Sequence, residues 1–233
     1  MILYEKPRLT WSGESCLVAE FGDGIDRNLN ALVHRCRRNL SAEDPCWLVE
    51  SVPTYRSLAV YVDENADREK VWDAIVRCLP ECGEQDLEDK GGLVEIPVCY
   101  GGEYGPDIET VAKGAGIPVE EVISRHSGAE YYVYMLGFTP GFCYLGGMDP
   151  TLETPRLEEP RVRIPAGSVG IAGKQTGIYP IESPGGWQLL GRTPLDMFDP
   201  LRDPAVLVDA GMRLRFVPVT EEAYLALKAG ETL

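Results

Sequence analysis

The chain has 233 residues, 44% of them hydrophobic and 25% charged, the ordinary balance of a globular protein of one or two domains. Its 37 acidic against 22 basic residues give a net charge of −15, which argues against nucleic-acid binding, since phosphate backbones are held by clustered Lys and Arg. No apolar run approaches the roughly 18 residues that span a bilayer, so no membrane association is expected.

The first residues, MILYEKPRLTW, lack a basic start followed by an apolar core, so no secretory leader is expected. SCLVAEFG (15–22) reads as a strand. Ile25, Leu29, Leu32, Val33, Cys36 and Leu40 then recur at helical spacing, with a cap near Asp23 or Gly24. His34 on this helix reads as a surface or boundary residue, and Arg35, Arg37 and Arg38 as its solvated face. WLVES (47–51) and SLAVYVD (57–63) read as strands, followed by a helix with Val71, Trp72, Ile75 and Leu79 on one face. This is a small α/β two-layer sandwich, residues 1–85.

ECGEQDLEDK (81–90) is acidic, nearly free of apolar residues and followed by two glycines, the signature of a linker. Beyond it, LVEIPVCY (93–100) and YYVYMLGF (131–138) read as strands. Two short helices lie between them, around 106–113 and 118–126, the second opened by Pro118. Short apolar runs then alternate with turn signals to Phe216, as in a barrel or sandwich. Thr220 caps a last helix that ends at Gly230. The whole is α+β, with the second domain over 86–233.

The cysteines are seven, odd in number and scattered. The only close pair, Cys78 and Cys82, has no matching second pair, so no metal site is expected and reduced, structural thiols of a cytoplasmic protein are the better reading.

The densest chemistry lies in 137–200, which holds eleven of the 25 glycines and nine of the 18 prolines. Aromatic and branched residues run through it, including Phe138, Phe142, Tyr144, Tyr179 and Trp187. Disordered chains lack such apolar content, so short strands and rigid turns around a loop-built pocket or docking face are expected here. GSVGIAGKQ (167–175) resembles a nucleotide-binding loop but fails its spacing, and Gln175 stands where a metal-binding hydroxyl would. Arg163, Lys174, Gln175, Thr176 and Arg192 sit beside glycine or proline in turns, where they are either ligand contacts or plain turn residues. A glutamine can meet an amide face to face, and an arginine can take a carboxylate bidentately. His126 ends a helix, either as a dipole-stabilised C-terminal histidine or in a functional role as proton carrier or substrate ligand.

The motifs GFTPGFCYLGGMD (137–149), PRLEEPRVRIPAGSVGIAGKQTGIYP (155–180) and SPGGWQLLGRTPLDMFDP (183–200) resemble the KipI/allophanate hydrolase subunit 1 family. FGDGID (21–26), VESVPTYRSLAVYVD (49–63) and IPVCYGGEYGPDIETVA (96–112) extend the resemblance over nearly the whole chain. Met212 and Cys143 depart from the family's usual Asp and Pro. The resemblance implies a cyclophilin-like β-barrel as the second domain, carrying the ligand site. It also implies a role in an ATP-dependent 5-oxoprolinase, which opens the lactam of 5-oxoproline to glutamate by phosphorylating the lactam oxygen before water attacks. ATP, with Mg, would be used by the assembly, although this chain shows no nucleotide site. The implied partners are an allophanate hydrolase subunit 2-like protein (PxpC type) and a LamB/YcsF-type protein (PxpA type). In that setting Gln175, Thr176 and Lys174 would contact substrate, Pro140, Gly141 and Phe142 would shape the wall, and Arg192 would take the carboxylate. Gln175 and His126 are the catalytic candidates. Other members of the same family inhibit a sensor histidine kinase or form part of urea carboxylase and allophanate hydrolase systems, so both remain alternatives.

Overall fold

The computed structural model describes residues 3–79 and 92–231, and spatial contacts divide the chain into one unit within 1–88 and another within 89–233. The linker expected over 81–90 lies outside the described residues. None of the described helices is long and apolar enough to cross a membrane.

The first unit is an antiparallel sheet carrying two helices. Its elements are β1 (Leu3–Trp11), β2 (Cys16–Gly22), α1 (Arg27–Glu43), β3 (Leu48–Pro53), β4 (Ser57–Val62) and α2 (Arg68–Cys78), with sheet order β1-β2-β4-β3. Alternation puts Leu17, Ala19 and Phe21 of β2 and Leu58, Val60 and Val62 of β4 on one face. There they meet Leu29, Val33, Cys36 and Leu40 of α1 and Val71 and Ile75 of α2. Each such aliphatic side chain contributes about 1.5–3 kcal/mol on burial.

Several local details differ from the sequence expectation. β1 is an additional strand, in a stretch whose Pro7 and charged residues weaken the strand signal. The cap of α1 is Asp26, whose carboxylate accepts from the backbone N–H of Asn28 and Leu29, so Asp23, Gly24 and Ile25 precede the helix. Trp72 and Ile25 are exposed, and the buried face of α2 is Val71, Ala74, Ile75 and Cys78. His34 is buried rather than on the surface.

The second unit is a closed barrel. Its elements are β5 (Leu93–Tyr100), α3 (Ile108–Ala115), α4 (Val119–Ser127), β6 (Tyr131–Leu136), β7 (Cys143–Gly146), β8 (Arg161–Ile164), β9 (Ser168–Ala172), β10 (Gln175–Ile178), β11 (Ser183–Gly185), β12 (Gln188–Arg192), β13 (Arg213–Pro218) and α5 (Glu221–Lys228). The barrel order is β10-β7-β6-β13-β5-β12-β9, while β8 and β11 form a separate two-stranded ribbon. β13 runs parallel to β5, from Arg213 opposite Leu93 to Pro218 opposite Val98. Thr220 caps α5 by accepting from Ala223 N–H.

Alternation along the barrel strands separates two clusters. Cys143 and Leu145 of β7, Val169 and Ile171 of β9, Ile178 of β10 and Leu190 of β12 belong to the main core. Their neighbours Phe142, Tyr144, Ala172, Tyr179 and Leu189, with Ile164 of β8 and Trp187, belong to a second cluster on the other side of the wall. Period two thus builds two apolar clusters from one set of strands.

Candidate functional site

Inside the barrel, α4 delivers His126 to a position with no solvent exposure. Its ring stacks on Phe216 of β13, with centroids 4.6 Å apart. Nε2 lies 2.9 Å from the hydroxyl of Thr176 and Nδ1 lies 2.7 Å from that of Tyr100. The Thr176 hydroxyl donates to the Gly170 carbonyl at 3.1 Å. One tautomer satisfies every group: Nε2–H donates to Thr176, and Nδ1 accepts from Tyr100. The His126 carbonyl accepts from the Tyr131 hydroxyl at 2.7 Å. Burial with no charged partner holds the imidazole pKa down, to about 3, so the ring is neutral throughout the physiological range.

Outside the wall, the second cluster opens into a cavity of about 290 Å³, near the low end of small-molecule sites (roughly 300–1,000 Å³). Phe142 is its hub. Its ring meets Tyr144 at 4.9 Å, Tyr179 at 5.3 Å, Trp187 at 5.4 Å and Phe138 at 5.6 Å, all edge to face. Glycines leave the room: a Cβ on Gly177 would sit 3.0 Å from both the Phe142 and Trp187 rings. Phe138 stands at the rim with φ of +67° and 61% exposure. A bulky residue held in the left-handed region, with its ring in water, marks a position shaped by something other than folding stability.

The polar edge of the cavity is Arg156. Burial pushes the Tyr179 phenol up to about 12, opposed by a hydrogen bond with the Trp187 backbone and then by the charge of Arg156. Tyr144 is likewise raised by burial, with Arg156 opposing. Arg161 ties the ribbon to the barrel: it donates to Asp107 at 2.7 Å, and the other oxygen of Asp107 accepts from Leu189 N–H at 2.7 Å.

The residues expected from the sequence divide among several places. Gly141 and Phe142 lie in the β6–β7 connection, and Phe142 lines the cavity, whereas Pro140 is exposed. Thr176 and His126 are brought together, but in the sealed interior, where neither side chain meets solvent. As adjacent strand residues, Gln175 and Thr176 face opposite sides, so one ligand cannot meet both from the same face. Lys174 is exposed at the turn between β9 and β10, beside half-buried Gln175. The 167–175 stretch is therefore strand–turn–strand, with no helix start to cradle phosphate. Arg192 lies over the Tyr104 ring at 5.4 Å and does not line the cavity. Arg163 is exposed and paired with Glu182 at 2.5 Å. Sequence reasoning does not single out Arg156. It is one of five cations in the aromatic-rich segment, and its only signal is that every lining residue falls within 137–200.

Among the cysteines described, Cys16, Cys36, Cys78, Cys99 and Cys143 are buried and free, and burial raises the thiols of Cys36 and Cys143 to about 12.

Residues 7–208 match the family described as carboxyltransferase domain, subdomain C and D, and the chain belongs to it. Over 227 residues it is 44% identical to the B subunit of 5-oxoprolinase from Bacillus subtilis (strain 168), covering 93% of this chain and 94% of that one. It is 40% identical over 218 residues to the corresponding 5-oxoprolinase chain of Escherichia coli O157:H7, covering 93% and 98% respectively. A solved structure of a conserved uncharacterized protein from Pyrococcus horikoshii is 48% identical, with a TM-score of 0.57, covering 93% of this chain and 100% of that chain. The family read from the 137–200 motifs is the one these relatives define.

Proposed function

We propose that this chain is a component of an ATP-dependent 5-oxoprolinase, the assembly that hydrolyses 5-oxoproline to glutamate. The observation that carries this reading is 44% identity, along nearly the full length of both chains, to a protein named as the B subunit of that enzyme. The aromatic cavity supports it, because its flat apolar walls suit a small planar ring and exclude water from it. The chain acts in the cytoplasm with an allophanate hydrolase subunit 2-like protein and a LamB/YcsF-type protein. The stretch most like a nucleotide loop is a β-hairpin and does not fit ATP, so no step through ATP is assigned to these residues. The part of this chain is to bind and orient the lactam.

The test is co-expression with the two partner proteins, followed by measurement of glutamate from 5-oxoproline with and without ATP. ATP-dependent glutamate that disappears when this chain is omitted is the expected result. No turnover from a correctly assembled complex would reject the 5-oxoproline reading in favour of a urea-type substrate. Failure to assemble at all would favour a kinase-inhibitory role.

A further inference from the structure

Arg156 differs from most arginines of the second unit, and, unlike Arg192 over Tyr104 and Arg202 on backbone carbonyls, it lines the cavity. Arg125, Arg161, Arg163, Arg213 and Arg215 each have a carboxylate partner. Among the described residues Arg156 has none, although the chain carries 37 acidic residues. Its charge acts instead on the phenols of Tyr144 and Tyr179, both of which line the cavity.

Its backbone is fixed on both sides. The Pro155 carbonyl accepts from the Gln188 side-chain amide at 3.1 Å, and Leu157 N–H donates to the Gly186 carbonyl at 2.7 Å. Two residues earlier, the Thr154 carbonyl accepts from Gly173 N–H at 2.7 Å. An exposed guanidinium on a clamped backbone, at the mouth of an aromatic cavity and with no internal counter-ion, is preorganised for an anionic ligand.

We propose that Arg156 is the carboxylate-recognising residue of the cavity, and that the ligand class is a small planar amide bearing a carboxylate, its ring laid against the aromatic wall that Phe142, Tyr179 and Trp187 form. This rests on the 5-oxoprolinase reading for the choice of 5-oxoproline as ligand. It moves carboxylate recognition from Arg192, which lies against Tyr104, to a residue on the cavity itself.

The test compares two probes, 5-oxoproline and 2-pyrrolidone, the same lactam without the carboxylate. Binding to the full chain, alone and in the assembly, is measured by calorimetry for the wild type and for Arg156→Gln, with thermal melting as the check on folding. The wild type should prefer 5-oxoproline roughly 10- to 100-fold, the range of charge-assisted hydrogen bonds to a carboxylate. Arg156→Gln should bring the two ligands level while leaving 2-pyrrolidone binding unchanged, which general damage to the site would not do. A preference that survives in Arg156→Gln overturns the proposal, as does a wild-type chain and assembly that bind neither probe. Glutamate formation by the wild-type assembly is scored separately. An active assembly with an unchanged preference in the variant rejects the role of Arg156 and leaves the function standing. An Arg156-dependent preference without ATP-dependent glutamate does the reverse.

Discussion

The second unit holds two aromatic clusters that differ in almost every physical respect. The inner one, around His126, is sealed: each polar atom of the His126–Thr176 pair has a hydrogen-bond partner, and the imidazole is held neutral. The outer one, around Phe142, is open to a cavity, with an exposed cation and a strained aromatic at its edge. A histidine and a threonine look more chemical than a phenylalanine and a glycine. Yet here the reactive-looking pair serves packing, and the bland residues make the cavity. What separates them is whether a side chain keeps an unmet demand, and in the inner cluster none does.

The largest expected effect comes from acid. Below pH about 6.5 the unfolded chain protonates His126 while the folded barrel refuses the proton until about pH 3. The stability of the second unit should therefore fall as pH drops through that window, with a contribution approaching roughly 4–5 kcal/mol at its lower end. Urea unfolding at stepped pH would show it, and His126→Gln should flatten this component. An unchanged slope in that variant would mean the inner cluster is not sealed. Next, Phe142→Ala removes the hub of the outer cluster and should cost about 3–5 kcal/mol by denaturant unfolding. A loss under about 1 kcal/mol would show that the outer wall is not packed as a core. Thr176→Val takes away the hydroxyl between His126 and Gly170, leaving a buried donor and acceptor unmet. A loss of about 1–3 kcal/mol is expected, with substrate affinity unchanged. Reduced affinity at full stability would instead place Thr176 in contact with ligand. The smallest effect is at the rim. Phe138→Gly relieves a left-handed backbone and should raise stability by up to about 1 kcal/mol while weakening ligand binding. Equal or tighter binding would remove Phe138 from the site.

The sequence is most legible where periodicity and turn chemistry agree. The core positions of α1, the capping of α5 by Thr220 and the closely spaced strands of 137–200 follow from residue pattern. It is least legible where a tertiary neighbour decides the outcome. Trp72 has the apolar character of a core residue, but Ala74 and Cys78 fill the buried face of α2 and leave it outside. His126 sits at a helix end, which suggests solvent, but α4 runs its last turn against β13 and the ring lands on Phe216. Thr176 follows Gln175 in a polar-looking turn, but strand alternation turns it inward. Arg156 carries no local motif, and its role depends on Tyr144, Tyr179 and the residues that clamp Pro155 and Leu157, brought together only by the fold.

The parallel pairing of β13 with β5 also governs how the barrel can be made. The strand that begins at Leu93 cannot complete its ladder until the one that begins at Arg213 exists, more than a hundred residues later. During synthesis β5 must wait with an open edge, and closure depends on contacts of high sequence separation, which slow folding. Truncation between β12 and β13 would therefore leave an open barrel with two unpaired edges, a form prone to associate through its strands rather than to act as a smaller working domain.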